Sequence, residues 1–258
     1  MALRRSPLLF LLFWLSHVST DLAAQDRPLD FKTDIAPLFA DHCVRCHSPD
    51  NTKGGVSLAD VQDLLDNGYL TDVRTAAAGA VSVRELSRED SEILAVIGSG
   101  VQARLQAEAI CLVRPIRKVL VWGREPERAL ACAGEIRHVT GIEAQACASP
   151  DDAARRADII VTTTPSRDPV LKRDWLSAGQ HVTAMGSDAE HKNELEPAIL
   201  IAADRFVADS RAQSARLGEL NHAIRAGLAG DDFPVSELGA ILTGEAVGRQ
   251  KDDDLTVC

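Results

Sequence analysis

From Ile93 onward, short apolar runs alternate with amphipathic stretches, and this alternation restricts the fold more than any other feature of the sequence. The apolar runs predict strands over 93–98, 118–122, 142–147, 158–164, 181–186 and 205–209. The amphipathic stretches predict helices over 101–112, 125–139 and 149–157. Strands that alternate with helices of this length form a parallel sheet with right-handed crossovers. The sequence therefore predicts an α/β fold with a Rossmann-like doubly wound parallel sheet.

The first strand-to-helix turn carries a glycine pattern that matches G-x-G-x-x-A. It reads Gly98, Ser99, Gly100, Val101, Gln102, Ala103. Gly98 permits the tight turn, Gly100 lets the backbone approach a pyrophosphate, and Ala103 keeps the helix close to the sheet. The helix N-terminus would offer its free N–H groups to the phosphates. Because the motif lies between a predicted strand and a predicted helix, we favour dinucleotide binding over a merely tight turn.

The residues after the second predicted strand bear on the choice of dinucleotide. The chain there reads Gly123-Arg124-Glu125. An arginine at this place can pair with the 2′-phosphate of NADP, whereas an acidic residue can bind the ribose of NAD. A solvated loop arginine is the alternative interpretation of Arg124. We expect an NAD(P) cofactor, with a slight preference for NADP.

The N-terminus has the three parts of a secretory signal. Arg4 and Arg5 precede an apolar run over 8–15, and small residues follow it. The run is too short for a bilayer span, which needs about 20 residues. We predict that residues 1–24 are a signal peptide and expect no membrane association after cleavage. The protein would then be periplasmic or exported, and a buried N-terminal helix is the alternative.

The stretch that follows contains the spacing Cys43-x-x-Cys46-His47. Two thiols at this spacing reach both vinyl groups of one haem, and the adjacent imidazole can bind the iron. Cys43 and Cys46 are therefore candidate attachment points for haem c, and His47 is a candidate iron ligand. A zinc half-site and a redox dithiol are the alternatives. With its flanking residues, the stretch resembles a planctomycete-type cytochrome c domain, which implies a truncated, mostly helical haem-c-like segment over 25–64.

Overall charge argues against one class of partner. The formal net charge is -10, and Lys and Arg form no clustered stripe. A nucleic-acid-binding protein needs such a basic surface. We therefore expect a small-molecule partner and no nucleic acid.

Several further motifs occur in order along the rest of the chain. They read "NGYLTDVRTAAAGAVSVREL", "VTTTPSRDPVL", "WLSAGQHVTAMGSDAEHKNEL" and "VADSRAQSARLGEL". Together with "IGSGVQARLQ" they resemble the ornithine cyclodeaminase/mu-crystallin family over residues 65–258. Within that family the motifs are similar to the cyclodeaminases of ectoine-utilisation clusters and to iminosuccinate reductases.

The resemblance implies NAD(P)-dependent chemistry at the Cα of a small amino acid or imine, by a cyclodeaminase or by an imine or amino-acid oxidoreductase. Arg74 matches the family's carboxylate-binding arginine, which suits bidentate pairing. Asp188 matches the catalytic aspartate, and Lys192 matches a lysine that follows it in the family. An exposed charge is the alternative for Arg74 and Lys192, and a helix cap is the alternative for Asp188.

Other residues are candidates for contacts around the cofactor. Thr75 matches a cofactor contact of the family, and Thr163 would lie on the nicotinamide side at the end of its strand. A β-branched strand residue is the alternative for Thr163. His181 and His191 can carry protons, but we favour structural or exposed positions for both.

The resemblance also implies departures at both ends of the matching region. In the family, a substrate-binding and dimerisation region precedes the stretch that begins near residue 65, and relatives continue past the position of Cys258. We therefore expect residues 65–258 to be a dinucleotide-binding domain truncated at both ends, with impaired activity. Relatives form homodimers, whereas we expect here a monomer or an apolar patch exposed at 76–83.

Three interpretations of function remain open. The first is an NAD(P)-dependent cyclodeaminase or imine/amino-acid oxidoreductase, for which the family location is cytoplasmic. The second is an exported c-type haem electron carrier, and the third is a nucleotide-binding relative without turnover. The haem-c-like segment over 25–64 and the domain over 65–258 could have been joined by a natural fusion or by misassembly of the gene, and both origins stay open.

Overall fold

The computed structural model describes residues 47–48, 51–52, 68–230 and 232–258. The chain divides into two compact units, residues 1–64 and residues 65–258. In the first unit, strands β1 (His47–Ser48) and β2 (Asn51–Thr52) form an antiparallel pair. The predicted signal peptide, Cys43, Cys46 and the predicted helices of the haem-c-like segment lie outside the described residues, so these expectations stay predictions.

The second unit holds the remaining elements. Its strands are β3 (Ile93–Ile97), β4 (Lys118–Trp122), β5 (Glu143–Ala146), β6 (Ile159–Thr162), β7 (His181–Ala184), β8 (Arg205–Ala208), β9 (Ser236–Glu237) and β10 (Thr256–Val257). Its α-helices are α1 (Tyr69–Leu86), α2 (Val101–Cys111), α3 (Pro126–Thr140), α4 (Pro150–Arg156), α5 (Ala198–Ala202), α6 (Arg211–Leu217), α7 (Glu219–Arg225) and α8 (Leu238–Leu242). Within the described ranges, no helix is both long and apolar enough to cross a bilayer.

These strands form one parallel sheet in the order β5-β4-β3-β6-β7-β10-β8-β9. The order runs outward in both directions from the neighbours β3 and β6, which is the doubly wound arrangement. The parallel α/β sheet predicted from the sequence is confirmed, and each strand and helix predicted from Ile93 onward is found within two residues of its predicted bounds. The carboxyl ends of β3 and β6 meet at the switch point, where such folds bind ligands.

Alternate residues of the central strands face opposite sides of the sheet. Ala95 and Ile97 of β3 belong to a buried cluster that includes residues of α4, α5 and α7. Leu94 and Val96 belong to a second cluster with residues of α1, α2 and α3. Both clusters are rich in alanine and branched aliphatic side chains, which lets the helices approach the sheet closely. The sheet is therefore covered on both faces.

Helix α1 corrects the expectation of an exposed apolar patch at 76–83. Ala76, Ala80 and Val83 are buried, because this side of α1 packs against α2 and the sheet. At Gly79 the side chain of Gln106 occupies the space that a Cβ would need, so the two helices approach closely there. Ala77 and Ala78 remain exposed. Most of this segment therefore belongs to the core of the described unit.

Strand β10 occupies an interior place in the sheet that the sequence did not predict. Thr256 and Val257 pair with β7 on one side and with β8 on the other. The segment before β10 is fastened by Arg249, whose guanidinium donates to the carbonyls of Leu86, Gly179 and Gln180. The parallel sheet is thereby continuous from β5 to β9.

His181 lies in the buried layer between α1 and the sheet. Its Nδ1 is 2.9 Å from Thr256 Oγ1, and its Nε2 is 2.8 Å from Thr183 Oγ1 and 3.3 Å from Ser82 Oγ. Burial, together with the positive charges of Arg249 and Arg114, lowers the pKa of His181 to about 3. The structural role favoured from the sequence fits this geometry, whereas His191 is exposed.

We expect the buried imidazole to make the unfolding free energy depend on pH. The pKa of His181 falls from 6.5 to about 3 on folding, so between these values only the unfolded chain binds the proton. The stabilisation is present above pH 6.5 and is lost by about 1.4 kcal/mol per pH unit as the pH falls below it. Chemical denaturation across this range should show a shallower slope for His181→Gln. The exposed His138→Gln should leave the slope unchanged, and equal slopes for all three proteins would contradict the prediction.

Candidate cofactor and active site

The turn after β3 has a backbone that only glycine adopts readily. Gly98 has φ 140°, and its N–H donates to the Trp122 carbonyl over 2.7 Å. A Cβ at this position would overlap Thr163 Oγ1 and lie 3.0 Å from the Thr163 carbonyl oxygen. The tips of β3, β4 and β6 are therefore in contact at this turn.

Helix α2 begins after its N-cap Gly100, and no side chain caps its first amides. Gly100 is the N-cap, with extended dihedrals (φ -94°, ψ -168°), and it makes no side-chain cap hydrogen bond. The space around the missing Cβ of Gly100 is open, and Ser99 and Gly100 both line a cavity. Free N–H groups and the positive end of an eleven-residue helix favour an anion at this place.

The cavity at this turn is a cleft of about 270 Å³ at the carboxyl ends of β3, β4 and β6. It is lined by Gly98, Ser99, Gly100, Trp122, Gly123, Arg124, Glu125, Arg128, Thr163, Thr164, Pro165, Ser166 and Val170. Thr163 Oγ1 is buried and has no hydrogen-bond partner among the described residues, so a ligand group can satisfy it. Open amides, the close-packed glycine turn and this hydroxyl together fit a dinucleotide.

A second cavity of about 220 Å³ lies at the carboxyl ends of β7, β10 and β8. Its walls are mostly apolar, and its polar side chains include Asp188, Asp209 and Glu219. Cys258 also lines it, and burial raises the pKa of this thiol to about 11, which keeps the thiol neutral. An apolar pocket with a few acidic groups suits a small organic molecule that exchanges protons.

Asp188 and Lys192 form an ion pair in the loop after β7. Lys192 Nζ lies 2.5 Å from Asp188 Oδ1. The Asp188 side chain is 72% exposed, whereas that of Lys192 is 24% exposed. The carboxylate is thus open to a ligand in the second cavity while the ammonium group holds it from the side. This arrangement suits proton transfer to or from a bound molecule.

Two buried glutamates support this loop. Glu194 accepts hydrogen bonds from Thr162, Thr164 and Gly186, and Glu219 accepts from Ser187 Oγ and from the N–H groups of Glu194 and Leu195. Burial raises the pKa of Glu194 to about 7, although its hydrogen bonds oppose the shift. Burial also raises the pKa of Glu219 against the effect of its hydrogen bonds.

The structure brings together some of the residues that the sequence singled out. Gly98, Ser99, Gly100, Arg124 and Thr163 line the cleft, and Asp188 lines the second cavity. Val101 and Ala103 lie in the first turn of α2, where Val101 is 56% exposed and Ala103 is buried against the sheet.

Other predicted residues point elsewhere in the described part of the chain. The side chain of Gln102 donates to Asp72, so only its backbone faces the turn. Arg74 is exposed on α1, and the Thr75 carbonyl accepts from Gln106; neither Arg74 nor Thr75 lines the two cavities. The side chain of His47 is not described.

Sequence reasoning missed Glu194 and Glu219. A glutamate beside other polar residues ordinarily indicates a solvated surface, because charged side chains are rarely fully buried. One signal in the sequence could have indicated a buried acceptor, namely the run "VTTTP" at the end of β6. Its hydroxyl groups and backbone amides need hydrogen-bond acceptors once they are buried. Spacing in the sequence does not show that residues 162–164 and 194 meet.

The fold and the cleft define an α/β protein of the dinucleotide-binding class. The chain belongs to the ornithine cyclodeaminase/mu-crystallin family, whose sequence model matches residues 51–258.

Known proteins of similar sequence and structure have related activities. A Rhizobium meliloti protein that bears the name of a dehydrogenase is 56% identical over 194 residues, which is 75% of this chain and 59% of that protein. The Thermococcus litoralis Δ1-pyrroline-2-carboxylate reductase in complex with NADH and L-proline superposes with a TM-score of 0.71 at 32% identity, covering 73% of this chain and 58% of that one. The Paracoccus denitrificans iminosuccinate reductase in complex with NAD+ has a TM-score of 0.68 at 37% identity, covering 74% and 58%.

These relatives are longer than the region they share with this chain. The chain spans 59% of the length of the Rhizobium meliloti protein and 58% of each of the two reductase structures.

Proposed function

We propose that the protein binds NAD(P) in the cleft and transfers hydride at the Cα of a small amino acid or imine, as a cyclodeaminase or an imine/amino-acid oxidoreductase. The observation that carries the proposal is the uncapped start of α2 at Gly100, which opens into a cleft at the switch point of a parallel sheet. Two similar structures hold NADH or NAD+. Asp188, which lines the second cavity, forms an ion pair with Lys192 in the loop after β7, the strand next to β6.

The residues of this chain have distinct tasks in the proposal. The nicotinamide supplies hydride chemistry when it is bound. The backbone amides after Gly100 hold the pyrophosphate, and the Thr163 hydroxyl, which lacks a partner in the described structure, donates to the cofactor. Asp188 takes or gives the proton of the substrate amine or imine, and Lys192 orients its carboxyl group through their ion pair. Arg74 is assigned to the substrate carboxylate by its family match alone.

Arg124 supports the slight preference for NADP. It is exposed at the rim of the cleft, directly after the tip of β4, where a 2′-phosphate would lie. Glu125, which could instead bind a ribose hydroxyl, lies 3.7 Å from Arg128 in an exposed ion pair. We therefore expect NADPH to bind at least as tightly as NADH.

Two experiments with the full chain, one of coenzyme binding and one of turnover, test the proposal. NADH and NADPH should each quench tryptophan fluorescence saturably, because Trp122 lines the cleft. The protein should then oxidise the bound coenzyme when Δ1-pyrroline-2-carboxylate or iminosuccinate is added, as an imine accepts hydride at Cα. Absence of any response at millimolar coenzyme would contradict cofactor binding. Saturable binding without oxidation by either imine would favour a nucleotide-binding relative without turnover.

A further inference from the structure

The Glu194 carboxylate lies at the junction of the two cavities and receives four hydrogen bonds. Oε1 accepts from the Thr164 N–H over 2.5 Å and from Thr164 Oγ1 over 2.7 Å. Oε2 accepts from Thr162 Oγ1 and from the Gly186 N–H, both over 2.7 Å. The residue itself is fully buried. A carboxylate has about four acceptor sites, so this one is saturated by donors from the tips of β6 and β7.

The distribution of the donors explains why an acid is needed here. Each carboxylate oxygen accepts one backbone N–H, from Thr164 on one side and from Gly186 on the other. A hydroxyl can rotate and become an acceptor, but a backbone N–H cannot. A carboxamide of the same shape would therefore direct its NH₂ group at one of the two amides. Leaving a buried donor without an acceptor is costly.

The groups that Glu194 joins belong to both cavities. Thr164 lines the cofactor cleft, and Gly186 lies between Met185 and Ser187, which line the second cavity. The two tips are in direct contact, because a Cβ on Gly186 would overlap the Thr164 carbonyl and lie 2.6 Å from the Glu194 carboxyl group. Glu194 thus sets the distance between one wall of the cleft and the loop that carries Asp188.

Glu219 on α7 holds the backbone of Glu194 in turn. Its Oε1 accepts the N–H of Glu194 over 2.9 Å, and its Oε2 accepts the N–H of Leu195 over 3.2 Å. The same carboxylate accepts from Ser187 Oγ, one residue before Asp188. The loop is therefore fixed at both ends to buried acids.

We propose that Glu194 is a positioning residue, whose carboxylate aligns the cofactor cleft with the loop of Asp188 by bonding the tips of β6 and β7. This role rests on the proposed function, since it concerns the placing of cofactor against the proton-transfer pair. Glu194 does not line either cavity and acts through Thr164 and Gly186. Its effect is therefore on cofactor affinity and on the geometry of the reaction.

Glu194→Gln tests the role, because it keeps the volume and shape of the side chain. We expect NADH to bind about tenfold more weakly, and hydrogen exchange at the Thr164 and Gly186 amides to accelerate. Glu196→Gln is the matched control: Glu196 accepts one backbone N–H, from Arg173 over 2.7 Å, and a carboxamide oxygen can still accept it. The NADH titrations of both variants are made at a temperature well below the thermal unfolding midpoint of each protein. A loss of stability alone then does not change the measured affinity.

The outcomes separate this role from the proposed function. Unaltered NADH affinity in Glu194→Gln, with binding by the unsubstituted protein, would overturn the positioning role alone. Absence of NADH and NADPH binding by the unsubstituted protein would overturn the proposed function, and the positioning role with it. If Glu194→Gln does not fold, Thr162→Val replaces it, since it removes one of the four donors and keeps both amide bonds. We expect about threefold weaker NADH binding for this variant, and unchanged binding would reject the role.

Discussion

Replacement of Gly100 by aspartate should nearly abolish coenzyme binding without unfolding the protein. Gly100 has extended dihedrals that any residue adopts, and an added Cβ meets open space. Aspartate is a favourable N-cap, so its carboxylate will bond the first amides of α2 and add a few tenths of a kcal/mol to stability. The same carboxylate then occupies the anion site and repels a pyrophosphate. We expect NADH affinity to fall about 100-fold, measured by quenching of tryptophan fluorescence.

A matched variant isolates the charge in this experiment. Gly100→Asn has nearly the same size and capping ability but carries no charge, so it should lose much less affinity than Gly100→Asp. Thermal unfolding should give both variants midpoints equal to or above that of the unsubstituted protein. NADH affinity in both variants equal to that of the unsubstituted protein would show that the start of α2 does not hold a phosphate.

Asp188→Asn should slow turnover strongly while leaving coenzyme binding almost unchanged. An asparagine preserves the shape of the side chain but cannot accept a proton at neutral pH. Positioned acid-base groups contribute about 10²- to 10⁴-fold to rate, and we expect a loss in this range for imine reduction. Asp188 lines the second cavity and not the cleft, so the dissociation constant of NADH should remain within about threefold. Steady-state kinetics with separate coenzyme titrations distinguishes the two effects.

Glu190→Gln provides the control on the same loop. The Glu190 side chain is 60% exposed, lies 4.0 Å from Arg225 and does not line either cavity. An exposed pair of this kind contributes little, so the variant should react like the unsubstituted protein. Retention of full activity by Asp188→Asn, or equal losses in both variants, would remove Asp188 from the proposed chemistry.

The parallel sheet and the glycine turn after β3 could be predicted because both depend on local patterns. The five-residue apolar run of β3, the alanine spacing of α2 and the glycines between them each select a conformation without help from distant residues. Asp188 was placed by family resemblance, and the cavity that it lines requires coordinates. The strands and helices that local patterns predict from Ile93 onward have bounds within two residues of those in the structure.

Features that depend on distant contacts were not predicted. Strand β10 has two residues, and its place between β7 and β8 follows from Arg249 and from the His181–Thr256 contact. Glu194 is buried only because donors at 162, 164 and 186 surround it. Nothing in the spacing of the sequence shows that these groups meet. The exposed patch expected at 76–83 was wrong for most of its residues, because the partner surface of α2 lies more than twenty residues further along the chain.

The place of β10 between β7 and β8 affects the order in which the domain can assemble. Strands β3 to β7 succeed one another along the chain, so their half of the sheet can form while synthesis proceeds. Strands β8 and β9 are made before β10, but β8 has no hydrogen-bonding neighbour on its inner edge until Thr256 and Val257 arrive. Closure of the sheet thus depends on contacts between residues separated by about fifty to seventy-five positions, which slows folding. During translation, an unpaired strand edge would remain accessible to chaperones until this late segment leaves the ribosome.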